Sequence, residues 1–287
     1  MEICWQVRDC PPIRESFFEL ANRVFGLSFR DWYEQGFWSE NYLPYTLTDG
    51  GRAVANLSVN RMQFLWQGCP RQYIQLGTVM TDPEYRGQGL ARRLMETVLR
   101  EWESRCDALY LFANDSVLNF YPKFGFIPVK EAFCSLPLSP QPCGRRRLDM
   151  KKETDRALLR ACYRQGNPHS AFPFTDNFEL LMFYCAFDLR ENVFFLPQQN
   201  AAVILEQEGE TLHCLDIYGG SGFRLQEILN AAAGPSARLA HLGFTPIETA
   251  SAAFSTRKEE DETLFLLAGK ENLFSCRSLM FPLLSHA

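Results

Sequence analysis

An α/β fold in two domains is what the sequence predicts, and three patterns carry that prediction. Strand-like residues lie on both sides of Asp49-Gly50-Gly51, the signal of a hairpin. A strand-like run, Ile74 to Met80, passes through a glycine-bearing loop into an amphipathic helix that begins at Leu90. Pro137, Pro140 and Pro142, with Gly144 just beyond, then interrupt the chain before strands and helices resume. These patterns set one domain at residues 1–140, a linker at 141–150 and a second domain at 151–287.

In chain order, Ile3 to Val7 is a short strand stopped by Cys10-Pro11-Pro12. Apolar residues at 13, 17, 20, 21, 24 and 25 then set a helical period up to Phe25. An aromatic-rich stretch, Phe29 to Trp38, follows. Tyr45-Thr46-Leu47 and Ala53 to Val59 form the hairpin, and residues 61–66 and 73–80 read as two further strands around Gly68-Cys69-Pro70. The helix from Leu90 repeats its apolar residues at Leu94, Val98 and Trp102, while Arg92, Glu96 and Arg100 lie four apart on another face. Ala108 to Phe112 is a strand. Ser116 to Tyr121 starts a helix that Pro122 restricts to its early turns, and residues 124–127 return to strand.

The second half opens with a helix over 154–163. A hairpin follows, Ala201 to Glu206 with Thr211 to Tyr218, then Gly219-Gly220-Ser221-Gly222 and a helix from Leu225 to Ala233. Leu242-Gly243-Phe244-Thr245-Pro246 faintly echoes Phe124-Gly125-Phe126-Ile127-Pro128, although 237–244 reads equally as a strand unrelated to any repeat. Two strands, Leu264 to Ala268 and Ser278 to Leu284, are expected to close the chain.

Composition narrows the function. The hydrophobic share of 46% is that of a globular protein, and no run approaches the ~18 apolar residues of a membrane helix. The N-terminus lacks a basic start and a long apolar stretch, so a cytoplasmic location without membrane attachment is expected. All of the net charge of −5 belongs to residues 151–287, which include the acidic run Glu259 to Glu262, read as a solvated loop. Such a balance argues against nucleic acid as a partner. Arg145-Arg146-Arg147 reads as a solvated turn. The ten cysteines form no C-x-x-C pair and read as reduced thiols; no metal site is expected.

The chemistry concentrates in Arg86-Gly87-Gln88-Gly89-Leu90-Ala91. Small residues between a strand and a helix let the backbone close around an anion, with the helix N–H groups and dipole aimed at it. A crowded turn is expected there. No Gly-Lys-Ser/Thr follows, which excludes a P-loop, and Arg92 stands where a dinucleotide fingerprint needs its third glycine.

Arg86-x-x-Gly89-x-Ala91 resembles the acetyl-CoA signature of the GCN5-related N-acetyltransferases (GNAT). Tyr121-Pro122-Lys123-Phe124-Gly125-Phe126 resembles that family's second signature, and Asn114 matches an asparagine often found between the two. The resemblance covers residues 1–135. It implies a mixed, mostly antiparallel central sheet flanked by helices, and acetyl-CoA as co-substrate. By the same resemblance the backbone of Val79, Met80 and Thr81 meets the pantetheine arm, residues 86–91 hold the pyrophosphate, and Asn114 joins the cofactor site.

For acetyl transfer, an amine attacks the thioester carbonyl, an oxyanion forms and the CoA thiolate leaves. Tyr121 matches the family's proton donor to the sulfur; the competing reading is that it packs behind Phe126. A backbone N–H near Val79 or Met80 would hold the oxyanion. For the acceptor, a small-molecule or peptide amine, the aromatic stretch with its carboxylates is the candidate pocket. Trp32, Glu34, Trp38, Glu40 and Tyr45 are its named residues, and a hydrophobic core is the alternative.

The base has several candidates. All four histidines lie in the second half, so Asp31, Glu34, Glu40 or Gln75 could hold a water. Alternatively the C-terminal end enters the first domain, as in some tandem acetyltransferases, and His286 or the Ala287 carboxylate takes the proton; a frayed, solvated end is the competing reading. The second half has glycines after its strand but no R-x-x-G-x-G/A, so it reads as a smaller, degenerate GNAT-like domain that cannot hold CoA. A non-catalytic acyl-CoA-binding or scaffold protein is the alternative to an enzyme.

Overall fold

The computed structural model describes residues 1–141, 143–256, 261–275 and 277–287; Pro142 of the expected linker, Glu259 and Glu260 of the acidic run, and Cys276 lie outside them. β1 (Glu2–Cys4) is shorter than the run to Val7, and α1 (Pro11–Phe25) starts on its two prolines. Proline suits a first helical turn, where no N–H partner is lost. Gly26, at φ 69°, ends α1 by donating its N–H to the Asn22 carbonyl. The aromatic stretch contains α2 (Arg30–Glu34).

β2 (Tyr42–Asp49) and β3 (Arg52–Trp66) pair around Gly50-Gly51, both at positive φ, as a two-residue hairpin demands. Residues 61–66 are the far end of β3 rather than a separate strand, and β4 (Cys69–Thr81) returns along it. α3 (Leu90–Trp102) buries Leu90, Leu94, Met95 and Val98, and β5 (Ala108–Ala113) follows. The helix expected from Ser116 is replaced by two 3-10 turns, at 115–117 and 121–124. Pro122 cannot donate, and Gly125 at φ 86° ends the second turn before β6 (Phe126–Pro128).

Next come β7 (Phe133–Pro137), β8 (Arg146–Arg147), α4 (Glu153–Tyr163), β9 (Phe174–Thr175) and α5 (Phe178–Phe183), which runs into a π turn over 184–188. β10 (Val193–Leu196) leads to the expected hairpin, β11 (Ala201–Glu208) with β12 (Thr211–Gly219). α6 (Leu225–Ala232), β13 (Leu239–Leu242), β14 (Ala253–Ser255) and β15 (Thr263–Leu267) follow. The second closing strand, 278–284, does not form. Leu279, Met280, Phe281 and Leu284 are all buried, so alternation fails, and Pro282 has no N–H for a ladder.

Two mostly antiparallel sheets result, flanked by helices. The first runs β1-β2-β3-β4-β5-β15-β6, with β9 attached to β3, and the second runs β8-β10-β11-β12-β13-β7-β14. Each has one parallel pair, at the same place in its order: β4 with β5, and β12 with β13. The orders match with one exchange. β15 from the second half sits between β5 and β6, and β7 from the first half sits between β13 and β14. The expected boundary at 141–150 therefore does not divide the sheets. One buried cluster also joins the halves, packing Phe17, Phe29 and Trp32 with Leu181, Met182 and Leu284.

Candidate active site

The glycine loop begins at a buried carboxylate. Asp82 accepts hydrogen bonds from Arg23 (2.5 Å) and Arg52 (2.6 Å), and its other oxygen accepts the Glu84 N–H at 3.1 Å. This fixes the exit from β4. Arg86, Gly87, Gln88 and Gly89 are exposed, Ala91 is half-buried and Leu90 turns inward. Gly87 and Gly89 have φ of 77° and 75°, and a Cβ on either would meet nothing within 4 Å. The turn is open, not crowded: glycine is required there by backbone conformation rather than by space. No side chain caps α3, and its first turn holds no acid but carries Arg92 and Arg93. Uncapped N–H groups, the positive end of the helix dipole and open space together suit an anion.

Beside this loop the sheet opens. β4 and β5 pair only over 73–75 and 108–110 and then part. On its other edge β4 slips register against β3 between Asn56 and Ser58, with Thr78 at φ 47°. A buried polar network holds the bulge. Asn56 donates to the Thr78 carbonyl (3.0 Å) and to Ser58 (2.9 Å), and the Ser58 hydroxyl donates to Tyr42 (2.9 Å). The Tyr42 hydroxyl also lies 3.1 Å from Thr78 Oγ1. Val79 and Thr81, just past the bulge, are half-buried, and the Met80 side chain is core. Sequence reasoning missed Asn56, Ser58 and Asn60. Polar residues alternating with apolar 55, 57 and 59 look like a solvated strand face, yet here that face is covered.

Ala287 lies against this stretch of β4. Gln75 Nε2 donates to its main-chain oxygen at 3.0 Å, and a Cβ on Gly77 would stand 2.5 Å from that oxygen. Only glycine lets Ala287 come so close. His286 is held from three sides. Its carbonyl accepts the Tyr184 hydroxyl at 2.5 Å, its Nδ1 lies 3.1 Å from Glu262, and its ring stacks on Phe112 with centroids 3.9 Å apart. The His286 hydrogen bond holds the Glu262 carboxyl below the ordinary carboxylate range. His286 Nε2 is buried without a partner.

Ala287 forms part of the wall of a partly open cavity of about 70 Å³. Phe29, Trp32 and Tyr42 from the first half and Leu180 and Phe183 from the second are its apolar walls. Asn41, Asn60, Thr78 and Asn177 are among its polar points.

Of the acceptor residues expected from sequence, only Trp32 lines this cavity. Trp38 is buried behind it, donating Nε1 to the Tyr42 carbonyl at 3.1 Å. Glu34 and Glu40 are exposed and face Arg30 (4.0 Å) and Arg8 (2.6 Å). Tyr45 points to the opposite face of the sheet, where its hydroxyl accepts Trp102 Nε1 at 2.8 Å. Of the water-holding candidates, Asp31 is exposed and Gln75 is buried beside Ala287.

Tyr121 packs in the α3-side core, its ring 5.9 Å from Phe265 of β15 and 6.3 Å from Phe126. Burial pushes its hydroxyl up to about 12. Asn114, at the end of β5, donates to Asp261 at 2.9 Å.

The equivalent turn of the second sheet is hemmed in at its strand end, although Gly222, nearer α6, meets nothing within 4 Å. A Cβ on Gly219 would lie 2.7 Å from the Asn200 carbonyl oxygen, and one on Gly220 would lie 2.8 Å from Ile228 Cδ1. Glu227 reaches back to accept the Arg224 N–H at 2.8 Å, so a protein carboxylate already stands at the start of α6. Among the described residues no cluster of three metal-ligating side chains occurs, and no helix is long and apolar enough to cross a membrane.

Residues 12–129 match the family model described as an acetyltransferase (GNAT) domain. Three solved structures are similar in fold over most of this chain. A protein from Enterococcus faecalis V583, described as a probable N-acyltransferase, is 13% identical, with 92% of this chain and 71% of that one covered and a TM-score of 0.59. Eis1 from Mycobacterium abscessus is 14% identical, with 92% and 73% covered and a TM-score of 0.59. A GCN5-related N-acetyltransferase from Kribbella flavida is 16% identical, with 92% and 70% covered and a TM-score of 0.56. At such identities the likeness establishes the fold.

Proposed function

We propose that this chain, which carries an acetyltransferase (GNAT) domain over residues 12–129, moves an acetyl group from acetyl-CoA to a primary amine of a small molecule or peptide. The observation that carries the reading is the open, uncapped glycine turn at the start of α3. Its counterpart in the second sheet is crowded at Gly219 and Gly220, and Glu227 already accepts the Arg224 N–H before α6, which supports a single cofactor site.

In this reading the N–H groups of residues 86–91 hold the pyrophosphate. The backbone of Val79, Met80 and Thr81, on the edge that parts from β5, meets the pantetheine arm, with Asn114 nearby. The amine lies in the cavity beside Ala287 and attacks the thioester carbonyl. A backbone N–H near Val79 or Met80 stabilises the oxyanion, and Tyr121 protonates the departing thiolate. For the base, Ala287 is favoured over His286. One His286 nitrogen is engaged with Glu262 and the other is buried, whereas Ala287 lines the cavity.

The test is thiol release from acetyl-CoA across a panel of amines, repeated after deletion of Ser285 to Ala287. The deletion is expected to lower turnover by about 100-fold or more, the scale of a lost general base, while acetyl-CoA still raises the melting temperature. Full turnover in the truncated protein would return the base to a water held by a first-half side chain. No thiol release and no thermal shift in the intact protein would leave the fold without this activity.

A further inference from the structure

The cavity beside Ala287 has an unusual charge inventory. None of its lining side chains among the described residues is Asp, Glu, Lys, Arg or His. Its polar side chains are neutral amides and hydroxyls, and several are already engaged. Asn177 accepts the Leu180 N–H at 3.1 Å as the cap of α5, Asn60 donates to the Gln75 carbonyl at 3.3 Å, and Asn41 donates to the Asp176 carbonyl at 3.2 Å. Between them stand aromatic faces. Phe29 and Tyr42 stack with centroids 5.4 Å apart, and Trp32 and Phe183 meet edge to face at 5.8 Å.

We infer that the acceptor is a small monoamine with an aromatic or branched apolar body, and neither a polyamine nor a zwitterionic amino acid. This rests on the proposed acetyl transfer, whose acceptor it specifies. One ammonium can face the Ala287 oxygen and the aromatic rings. A second ammonium drawn into the cavity would find no carboxylate side chain among the described lining residues, and a substrate carboxylate would find no cation among them. Burying an unpaired charge is strongly disfavoured, whereas an apolar body gains by displacing water from these walls.

The inference is tested by comparing phenethylamine, spermidine and lysine as acceptors with saturating acetyl-CoA. Phenethylamine is expected to have a kcat/KM about 100-fold above the other two, the size of discrimination an unpaired buried charge imposes. Equal or better use of spermidine or lysine overturns the inference while leaving acetyl transfer intact. Calorimetric titration of each amine into the CoA-loaded protein separates the two ideas. If phenethylamine binds selectively and no amine releases thiol, the transfer reading fails while the cavity's selectivity for an apolar monoamine stands. If phenethylamine neither binds nor reacts, the class is wrong.

Asn177→Asp gives a second readout, because aspartate caps a helix as well as asparagine does and adds one carboxylate to the wall. The ratio of spermidine to phenethylamine kcat/KM should rise about tenfold, the effect of one new ion pair. An unchanged ratio in the folded variant would mean that the acceptor does not meet this wall, and would overturn the inference.

Discussion

Tyr121 shows how one side chain can satisfy two readings. Its ring is 5% exposed and packed on Phe126 and Phe265, and its hydroxyl has no hydrogen-bond partner among the described residues. Tyr121→Phe should therefore keep the melting temperature within a degree or two, because removing an unpaired hydroxyl orphans no partner. If the tyrosine protonates the thiolate, turnover should fall on the order of 10²–10⁴-fold with acetyl-CoA affinity nearly unchanged. The sign of its pH behaviour follows from burial. A hydroxyl pushed up to about 12 stays protonated, the form a donor needs, so wild-type turnover should show no Tyr121-dependent fall between pH 7 and 10. Turnover of the phenylalanine variant within a factor of two of wild type would assign Tyr121 to packing.

The two glycine turns carry opposite instructions at the level of the element. In the first, Gly87 and Gly89 leave the start of α3 open; in the second, Gly219 and Gly220 are hemmed in and Glu227 accepts the Arg224 N–H before α6. Gly89→Arg has room for its Cβ and carries only the ~1–2 kcal/mol of a left-handed non-glycine residue, so the protein should fold. Its side chain would extend across the exposed turn where the pyrophosphate is proposed to lie. Wild-type protein at 100 times the acetyl-CoA dissociation constant should gain about 2.7 kcal/mol, and the variant should gain almost none. An equal thermal shift in both would remove the loop from the cofactor site.

The whole molecule is tied together by an exchange of strands. β15 fills the gap between β5 and β6, and β7 fills the corresponding gap between β13 and β14. A fragment of residues 1–140 would expose the ladder edges of β5 and β6 and lose Phe265 and Leu267 from its core. Expressed alone, it should aggregate or lack a cooperative thermal transition. Co-expression with 143–287 should restore a complex that survives gel filtration. A cooperative, monomeric 1–140 fragment would show that the exchange is dispensable.

What the sequence determined by itself was local. The glycine turn, Arg86 to Ala91, was legible because glycine conformation and a helix start are both set within a few residues. The hairpins at Gly50-Gly51 and 208–211, and the helices at 11–25, 90–102, 153–163 and 225–232, follow from periodicity and turn chemistry over short spans. Alternation marks a strand without naming the sheet that receives it. The placement of β15 and β7 was therefore decided by tertiary structure, where each apolar strand fills an open edge offered by the other half. The cavity is non-local in the same way. Tyr42, Thr78, Phe183 and Ala287 lie far apart in the chain, and Asn56 and Ser58 look solvated until the rest of the molecule buries them. Glu34, Glu40 and Tyr45 sit near Trp32 in sequence yet face elsewhere, because a helix's outer side and alternate strand faces send adjacent residues in different directions.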